Sequence, residues 1–91
     1  MPERLVIIPT YNEQENIRGI LAHVFRLDPP FDVLVVDDGS PDGTAGMVKE
    51  LRAAHPDRLH LIERTGKLGL GTAYITGFKW ALERGYTHIF E

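Results

Sequence analysis

One stretch restricts the fold of this chain more than any other. The apolar run Val33–Val36 ends in two adjacent carboxylates, Asp37 and Asp38, which a turn rich in Gly and Pro follows. A continuous apolar run with three Val among its four residues is typical of a strand covered on both faces, as in a parallel sheet under helices. The sequence therefore predicts a buried strand that carries acidic groups to the rim of a sheet.

Strand-like and helix-like segments alternate along the chain. Apolar runs predict further strands at Leu5–Ile8, where Pro9 stops the run, at Leu59–Ile62 and at Tyr86–Phe90. Apolar residues at helical spacing predict three helices between the strands. The helical patterns consist of Ile17, Ile20, Leu21 and Val24, then of Ala45, Val48, Leu51 and Arg52, and then of Tyr74, Ile75, Phe78, Ala81 and Leu82.

Capping residues mark the ends of these helices. Asn12, with Glu15 three residues later, predicts a capping box at the start of the first helix. Ser40 or Thr44 is the predicted cap of the second helix, and Gly85 is the predicted residue just after the third. Each helix is therefore expected to fill the connection between two successive strands.

Three strand–helix repeats predict a doubly wound α/β fold, in which a mostly parallel sheet lies between two layers of helices. Ligands bind outside the carboxyl ends of the strands in such sheets. Three loops occupy that edge, at residues 9–13, 37–44 and 64–71, and a fourth would begin just after Glu91. An edge strand without its continuation is an aggregation hazard, so we expect the 91 residues to be the front part of a longer protein.

Composition excludes several classes of protein. The net charge is −3 and the Lys and Arg residues are scattered, so there is no basic stripe of the kind that marks nucleic-acid binding. No segment approaches the roughly 20 apolar residues of a membrane helix, and the first residues lack the pattern of a signal peptide. Without cysteine there is no disulfide framework or thiolate metal site. We expect a cytoplasmic location.

The two adjacent carboxylates cannot have equivalent roles. Neighbouring residues of a strand point to opposite faces of the sheet, so either Asp37 or Asp38 faces the ligand crevice while the other braces a loop by accepting N–H bonds. The alternative is that both are solvated turn residues. Asp42, a few residues later, is interpreted as an ordinary turn residue.

Two familiar motifs are present only in part. Residues 38–43 resemble the first half of a calcium loop, but position twelve is Lys49 and the preceding element is a strand, which excludes an EF-hand. The glycines of residues 69–71 follow the third strand, and the loop after the first strand contains no Gly, so a nicotinamide dinucleotide site is not supported.

Three side chains in the edge loops have open roles. Arg64 and Lys67 lie beside three glycines, where they either attract phosphate groups or belong to a tight connection. Tyr11 either stacks on a base or sugar or covers the end of the sheet. The four His residues lack the spacing of metal ligands and are interpreted as structural or solvated.

Three motifs lie in or beside the predicted edge loops: Pro9-Thr10-Tyr11-Asn12-Glu13, Val35-Val36-Asp37-Asp38-Gly39-Ser40-Pro41-Asp42-Gly43-Thr44 and Lys67-Leu68-Gly69-Leu70-Gly71-Thr72-Ala73-Tyr74. Together they resemble the family 2 glycosyltransferases of GT-A fold, and the resemblance covers nearly the whole chain. Within that family, residues 40–44 and 67–74 are most similar to the dolichyl- or polyprenyl-phosphate mannose synthases. The resemblance implies transfer of mannose from GDP-mannose, with inversion, to a dolichyl or polyprenyl phosphate at the cytoplasmic face of a membrane.

The resemblance also implies the site residues. Asp38 would be the ligand-facing carboxylate, because a carboxylate accepts hydrogen bonds from guanine N–H groups or ribose hydroxyls. Asp37, Arg64 and Lys67 would support the site. The residues that match the nucleotide site of the family are Pro9, Tyr11, Glu13, Val36 and Asp38.

The family further requires an Asp-x-Asp element after the fourth strand, which holds Mg²⁺ or Mn²⁺ against the diphosphate. The resemblance implies no metal ligand within this chain and places that element after Glu91. Residues 1–91 would then be the nucleotide-sugar-binding part of an incomplete GT-A domain, and the metal-binding and acceptor-binding parts would follow.

Other readings of the sequence are open at this point. A family 2 enzyme could use another nucleotide sugar, such as UDP-glucose, and a non-catalytic nucleotide-binding module would keep the same visible residues. A sugar nucleotidyltransferase would need a Gly-rich basic loop after the first strand, which residues 9–13 do not provide. Pairing of two copies through the open sheet edge is a further hypothesis.

We expect the 91-residue chain alone to transfer no mannose at a measurable rate, because the metal that neutralises the departing diphosphate has no ligands on it. An assay with radiolabelled GDP-mannose and a polyprenyl phosphate measures this directly. Mannosyl transfer by the purified 91 residues would contradict the expectation.

Overall fold

The computed structural model describes residues 3–27, 30–65 and 69–91, in which strands and helices alternate. All four described strands pair in parallel in one sheet of order β3-β2-β1-β4, which confirms the predicted doubly wound α/β fold. No helix in the described ranges is long and apolar enough to span a membrane. The elements are β1 (Arg4–Thr10), α1 (Gln14–Phe25), β2 (Asp32–Asp37), α2 (Thr44–Arg52), β3 (Leu59–Glu63), α3 (Leu70–Glu83) and β4 (His88–Phe90).

The strand order accounts for the three layers. From β1 the chain moves to β2 and β3 on one side, and β4 then pairs on the other side of β1. Crossovers between parallel strands have the same hand, so a reversal of direction places the next helix on the opposite face of the sheet. Accordingly α1 and α2 cover one face, and α3 covers the other.

Strand β2 contributes to a hydrophobic cluster on each face of the sheet. Val33 and Val35 pack under α1 and α2, whereas Leu34 and Val36 pack under α3. None of the four has exposed surface, which confirms the prediction of a strand covered on both faces. Removing each of these side chains from water contributes roughly 1.5–3 kcal/mol to folding.

Helix α3 approaches the sheet through small residues. Ala73, Gly77 and Ala81 are its buried residues, and their spacing of four places them on one side of the helix. The approach is closest at Gly77, where an added Cβ would lie 2.8 Å from Cγ2 and 2.9 Å from Cδ1 of Ile7 in β1. The contact between α3 and β1 therefore depends on the absence of a side chain at this position.

Three apolar residues predicted to face the core are exposed instead. Ile20 of α1 is 39% exposed, and Ile75 and Leu82 of α3 are 56% and 68% exposed. Within the described ranges α3 has no neighbouring helix on its face of the sheet, and α1 has only α2 beside it. The flanks of these helices therefore stay uncovered, and the prediction was wrong for these three residues.

Helix α3 ends at the predicted glycine. Gly85 has φ +80°, a conformation that costs little without a Cβ. Its N–H donates to the carbonyl of Leu82 at 3.2 Å, and the N–H of Tyr86 donates to that of Ala81 at 3.2 Å. This pair of bonds is a Schellman motif, which satisfies two of the last carbonyls of the helix. Strand β4 then begins at His88, two residues later than predicted.

Strand β1 continues past Pro9, where the prediction ended it. Pro9 pairs with Val36, and Thr10 pairs with Asp37. Strand β4 pairs only with Arg4–Val6, so Pro9 lies where β1 has a described neighbour on one side alone, and a residue without an N–H is tolerated there. The prediction that Pro9 stops the strand is therefore wrong, and the two extra residues bring Thr10 beside Asp37 at the rim.

The N-terminus of α1 is capped by the neighbouring loop. Asn12 lies outside the helix with φ +57°, and Glu13, the N-cap, makes no side-chain cap bond. The predicted capping box of Asn12 and Glu15 is wrong because side chains of the β2–α2 loop accept the N–H bonds. These bonds run from Asn12 N to Ser40 Oγ (2.9 Å), from Glu13 N to Thr44 Oγ1 (2.9 Å) and from Gln14 N to Asp42 Oδ2 (3.1 Å).

Thr44 and Asp42 connect the two helices. The buried Thr44 hydroxyl accepts a bond from the N–H of Glu13 and donates to Asp42 Oδ1 at 2.5 Å. Asp42 Oδ1 also accepts a bond from the backbone N–H of Thr44 at 3.0 Å. The pKa of Asp42 is lowered, chiefly by the hydrogen bond that the Thr44 hydroxyl donates to its carboxylate. Because Gly43 is the N-cap of α2, the predictions of Ser40 and Thr44 as its cap are wrong. The interpretation of Asp42 as an ordinary turn residue is incomplete, because its carboxylate also accepts a bond from the N–H of Gln14 in α1.

We expect Gly77→Ala to lower the free energy of unfolding by about 1–3 kcal/mol, because the new methyl group overlaps Ile7 in the packed core. Gly19→Ala is the matched control, since this α1 glycine has nothing within 4 Å of the added Cβ and Ala should stabilise the helix by roughly 0.5–1 kcal/mol. Urea denaturation followed by circular dichroism measures both values. A Gly77→Ala variant as stable as the parent chain would contradict the close approach of α3.

We expect Thr44→Val to lower the free energy of unfolding by about 1–3 kcal/mol, because it keeps the buried shape but leaves the N–H of Glu13 without its acceptor. The control is Thr76→Val in α3, where the structure describes no side-chain hydrogen bond, and it should change stability by less than about 0.5 kcal/mol. Thermal denaturation compares the two variants. Equal melting temperatures of Thr44→Val and Thr76→Val would show that the bonds of the Thr44 hydroxyl contribute nothing to the stability of the protein.

Candidate functional site

A cavity of about 240 Å³ lies at the carboxyl ends of β1 and β2, beside the first turn of α3. Ligands of doubly wound sheets bind at this edge. Pockets for drug-sized ligands measure roughly 300–1,000 Å³, so this cavity suits a base- or sugar-sized group. Its lining residues are Pro9, Thr10, Tyr11, Glu13, Asp38, Gly69 and Leu70.

Four of the five residues that the family resemblance assigns to a nucleotide site line this cavity: Pro9, Tyr11, Glu13 and Asp38. The fifth, Val36, is fully buried, pairs with Pro9 in the sheet and packs under α3. The side chain of Val36 therefore supports the cavity from within the core and does not line it.

Asp37 and Asp38 have different surroundings. Asp37 is 1% exposed and accepts bonds from the hydroxyl of Thr10 (2.7 Å) and from the N–H (3.0 Å) and hydroxyl (2.6 Å) of Ser40. Asp38 is 6% exposed and lines the cavity. The burial of both excludes the alternative that they are solvated turn residues. Asp37 joins the end of β1 to the loop after β2, whereas Asp38 presents its carboxylate at the cavity.

The guanidinium of Arg64 lies against Asp38. Its Nε donates to Asp38 Oδ1 at 2.6 Å, its Nη1 to Thr72 Oγ1 at 3.1 Å and its Nη2 to the carbonyl of Gly69 at 3.2 Å. Both charged side chains of the ion pair are less than a tenth exposed. The other cation that the sequence singled out, Lys67, lies outside the described residues.

The walls of the cavity differ in their chemistry. Asp38 and Glu13 offer carboxylates, which accept bonds from N–H and O–H donors. The wall formed by Gly69 and Leu70 is the N-terminus of α3, where N–H groups without helical partners and the helix dipole favour negative charge. Gly69 has φ +99°, which favours a residue without a Cβ. The cavity can therefore bind a ligand with donor groups at one end and an anionic group at the other.

An aromatic ring completes the lining. Tyr11 is 36% exposed and lines the cavity, a position in which its ring can stack on a base or sugar. The His residues described in aromatic contacts lie elsewhere: His55 stacks on Phe25 with 4.3 Å between ring centroids, and His60 lies 4.9 Å from Trp80. Among the described residues no three His, Asp or Glu side chains cluster so as to hold a metal ion.

Sequence reasoning missed four residues that shape the cavity. Thr10, Gly69 and Leu70 line it, and Thr72 contacts Arg64. All four lie in or next to the three loops predicted at the ligand edge of the sheet, and that position was the available signal. The four residues also lie within two of the motifs that carry the family resemblance, which assigned them no role.

The chain resembles known enzymes over almost all of its length. Residues 5–87 match the model of glycosyl transferase family 2. Polyprenol monophosphomannose synthase of Mycolicibacterium smegmatis is 55% identical over 87 residues, which are 96% of this chain and 33% of that protein. Undecaprenyl-phosphate mannosyltransferase of Micrococcus luteus is 53% identical over 87 residues, which are 96% of this chain and 35% of that protein. The chain thus spans about a third of the length of these curated relatives.

A solved structure has the same fold. A mannosyltransferase from Pyrobaculum calidifontis, in complex with GDP-Man and Mn²⁺, matches with a TM-score of 0.81 and 38% sequence identity over 88% of this chain and 24% of that protein. The family match of residues 5–87 includes every residue that lines the cavity. The chain belongs to glycosyltransferase family 2.

Proposed function

We propose that this chain forms the nucleotide-binding part of an enzyme that transfers mannose from GDP-mannose to a polyprenyl phosphate, with inversion at the sugar carbon. The observation that carries the proposal is the cavity at the carboxyl ends of β1 and β2, in a chain 55% identical to a polyprenol monophosphomannose synthase. The names of the two curated relatives support the acceptor, and the solved complex with GDP-Man supports the donor.

In this proposal the cavity holds the nucleoside end of the donor. Asp38 accepts hydrogen bonds from the guanine N–H groups or the ribose hydroxyls, and bonds to a charged acceptor are about twice as strong as neutral ones. Tyr11 stacks on the ring system, and Pro9 and Glu13 complete the wall. At about 240 Å³ the cavity does not enclose the sugar, which extends beyond it.

A divalent cation belongs to the proposal because the solved relative contains Mn²⁺. The described residues do not fit a metal site by themselves, since they contain no suitable cluster and Asp38 is engaged with Arg64. We propose that the ligands of Mg²⁺ or Mn²⁺, with the acceptor-binding part, follow Glu91 in a longer protein, as the family resemblance implies. This placement agrees with the share of the relatives' length that the chain spans. The cytoplasmic face of a membrane is the proposed place of reaction.

We expect the 91-residue chain to bind GDP more tightly than UDP or NAD in calorimetric titrations, with and without Mn²⁺. A preference for UDP would favour a family 2 enzyme with another donor, and a preference for NAD would contradict the glycosyltransferase proposal. GDP binding that is equally tight with and without Mn²⁺ is expected, since the described residues hold no metal cluster.

We further expect Asp38→Asn to weaken GDP binding by about 10- to 100-fold, because the amide replaces one acceptor oxygen by a donor group. The control is Asp57→Ala, an exposed carboxylate in the α2–β3 connection at the other end of the sheet, which should leave GDP binding unchanged. Circular dichroism checks that both variants are folded. Unchanged GDP affinity in folded Asp38→Asn would remove Asp38 from the nucleotide site.

A further inference from the structure

We propose that Arg64 is a positioning residue for nucleotide binding, which holds Asp38 and the first turn of α3 in one arrangement and thereby sets the shape and charge of the cavity. This inference rests on the proposed function, because it concerns how the same cavity recognises its nucleotide. Arg64 itself is not among the residues that line the cavity.

The geometry connects two walls through one side chain. The guanidinium donates to Asp38, which lines one wall, and to the carbonyl of Gly69, which lines the other. A third bond reaches Thr72 in the first turn of α3, and the backbone N–H of Arg64 donates to the carbonyl of Asp37 at 2.7 Å. Because guanidinium is planar and its donors have fixed directions, these bonds together define the angle between the two walls.

The ion pair of Arg64 and Asp38 is buried, which strengthens the attraction between the two side chains. The side chain of Arg64 is 9% exposed and that of Asp38 is 8% exposed, so water screens their attraction weakly. Without Arg64, Asp38 would lose a charged donor that holds its carboxylate against the first turn of α3. The carboxylate could then turn away from the direction in which the proposed nucleotide meets it.

Arg64 also changes the charge that a nucleotide meets. The described lining contains the carboxylates of Asp38 and Glu13, and the chain as a whole has a net charge of −3. A nucleoside diphosphate is itself an anion, so an unbalanced pair of carboxylates would repel it. Arg64 balances one of the two. Its loss should therefore act on a neutral nucleoside through geometry and on a charged nucleotide through geometry and charge together.

Guanosine and GDP separate a positioning role from direct contact with phosphate. An arginine that contacted the phosphates would affect GDP alone, because guanosine has no phosphate group. An arginine that positions Asp38 affects both ligands. A merely structural role would lower the stability of the variants and leave the affinity of the folded variants for both ligands unchanged.

The experiment compares Arg64→Met and Arg64→Lys in the 91-residue chain, with guanosine and GDP as calorimetric probes. We expect Arg64→Met to weaken guanosine binding by about 10-fold and GDP binding by up to about 100-fold, because the charge effect adds to the geometric one for GDP. Residues that orient metal ligands have effects of this size. Arg64→Lys keeps the charge without the planar fork, so it should recover part of the loss for GDP and little of the loss for guanosine. The control is Arg58→Met, which should leave both affinities unchanged. Arg58 forms an ion pair with Asp32 and donates to the carbonyl of Phe31 at the other end of β2.

Two outcomes would overturn the inference, and they are distinct from failure of the proposed function. Guanosine affinity that is unchanged in both Arg64 variants, with GDP affinity reduced, would indicate direct phosphate contact instead of positioning. Unchanged affinity for both ligands would exclude any role of Arg64 in binding. If Arg64→Met does not fold, the guanosine affinity of Arg64→Lys decides the question. A parent chain that binds neither ligand would refute the proposed function, and the inference with it.

Discussion

The cavity depends on the parallel pairing of β1 with β2. Because side chains alternate along a strand, a slip of one residue in this register would turn each side chain of the slipped strand to the other face of the sheet. The observed register places Pro9 beside Val36 and Thr10 beside Asp37, so that the apolar run of β2 ends where the polar residues of the rim begin. The four buried apolar residues of β2 stabilise that register from both faces. The rim then holds its acidic side chains at fixed positions.

The loops at this rim hold each other in place. Three backbone N–H groups before and at the start of α1 donate to Ser40 and Asp42 in the loop after β2 and to Thr44, the first residue of α2. Asp37 joins that loop to Thr10. A helix N-terminus needs acceptors for its first N–H groups, and here the neighbouring loop supplies them. The same bonds fix the path of the chain past Tyr11 and Glu13, two residues of the cavity. The bonds that cap α1 thus also hold the loops in place. They fix the shape of the cavity before a ligand binds.

The wall formed by Gly69 and Leu70 belongs to α3, which covers the face of the sheet opposite to α1 and α2. Helix α3 lies close to β1 because Ala73, Gly77 and Ala81 face it, and this approach brings Gly69 and Leu70 to the cavity. The guanidinium of Arg64 links that wall to Asp38. The proposed function requires that the nucleotide is bound while its sugar stays accessible to an acceptor. An open cavity of about 240 Å³ at the sheet edge, with carboxylates on one wall and a helix N-terminus on another, suits that requirement.

The sequence by itself determined the order of the elements, the burial of β2 on both faces, the end of α3 at Gly85 and the different surroundings of two adjacent acidic residues. These features depend on residue periodicity and backbone conformation, which neighbours within a few positions set. Only the tertiary structure decided that Thr44 caps an N–H group 31 residues away, that Arg64 pairs with Asp38 across 26 residues, and that Ile75 and Leu82 remain exposed. Such contacts depend on strand register and on which helix covers which face of the sheet, and no local pattern contains that information.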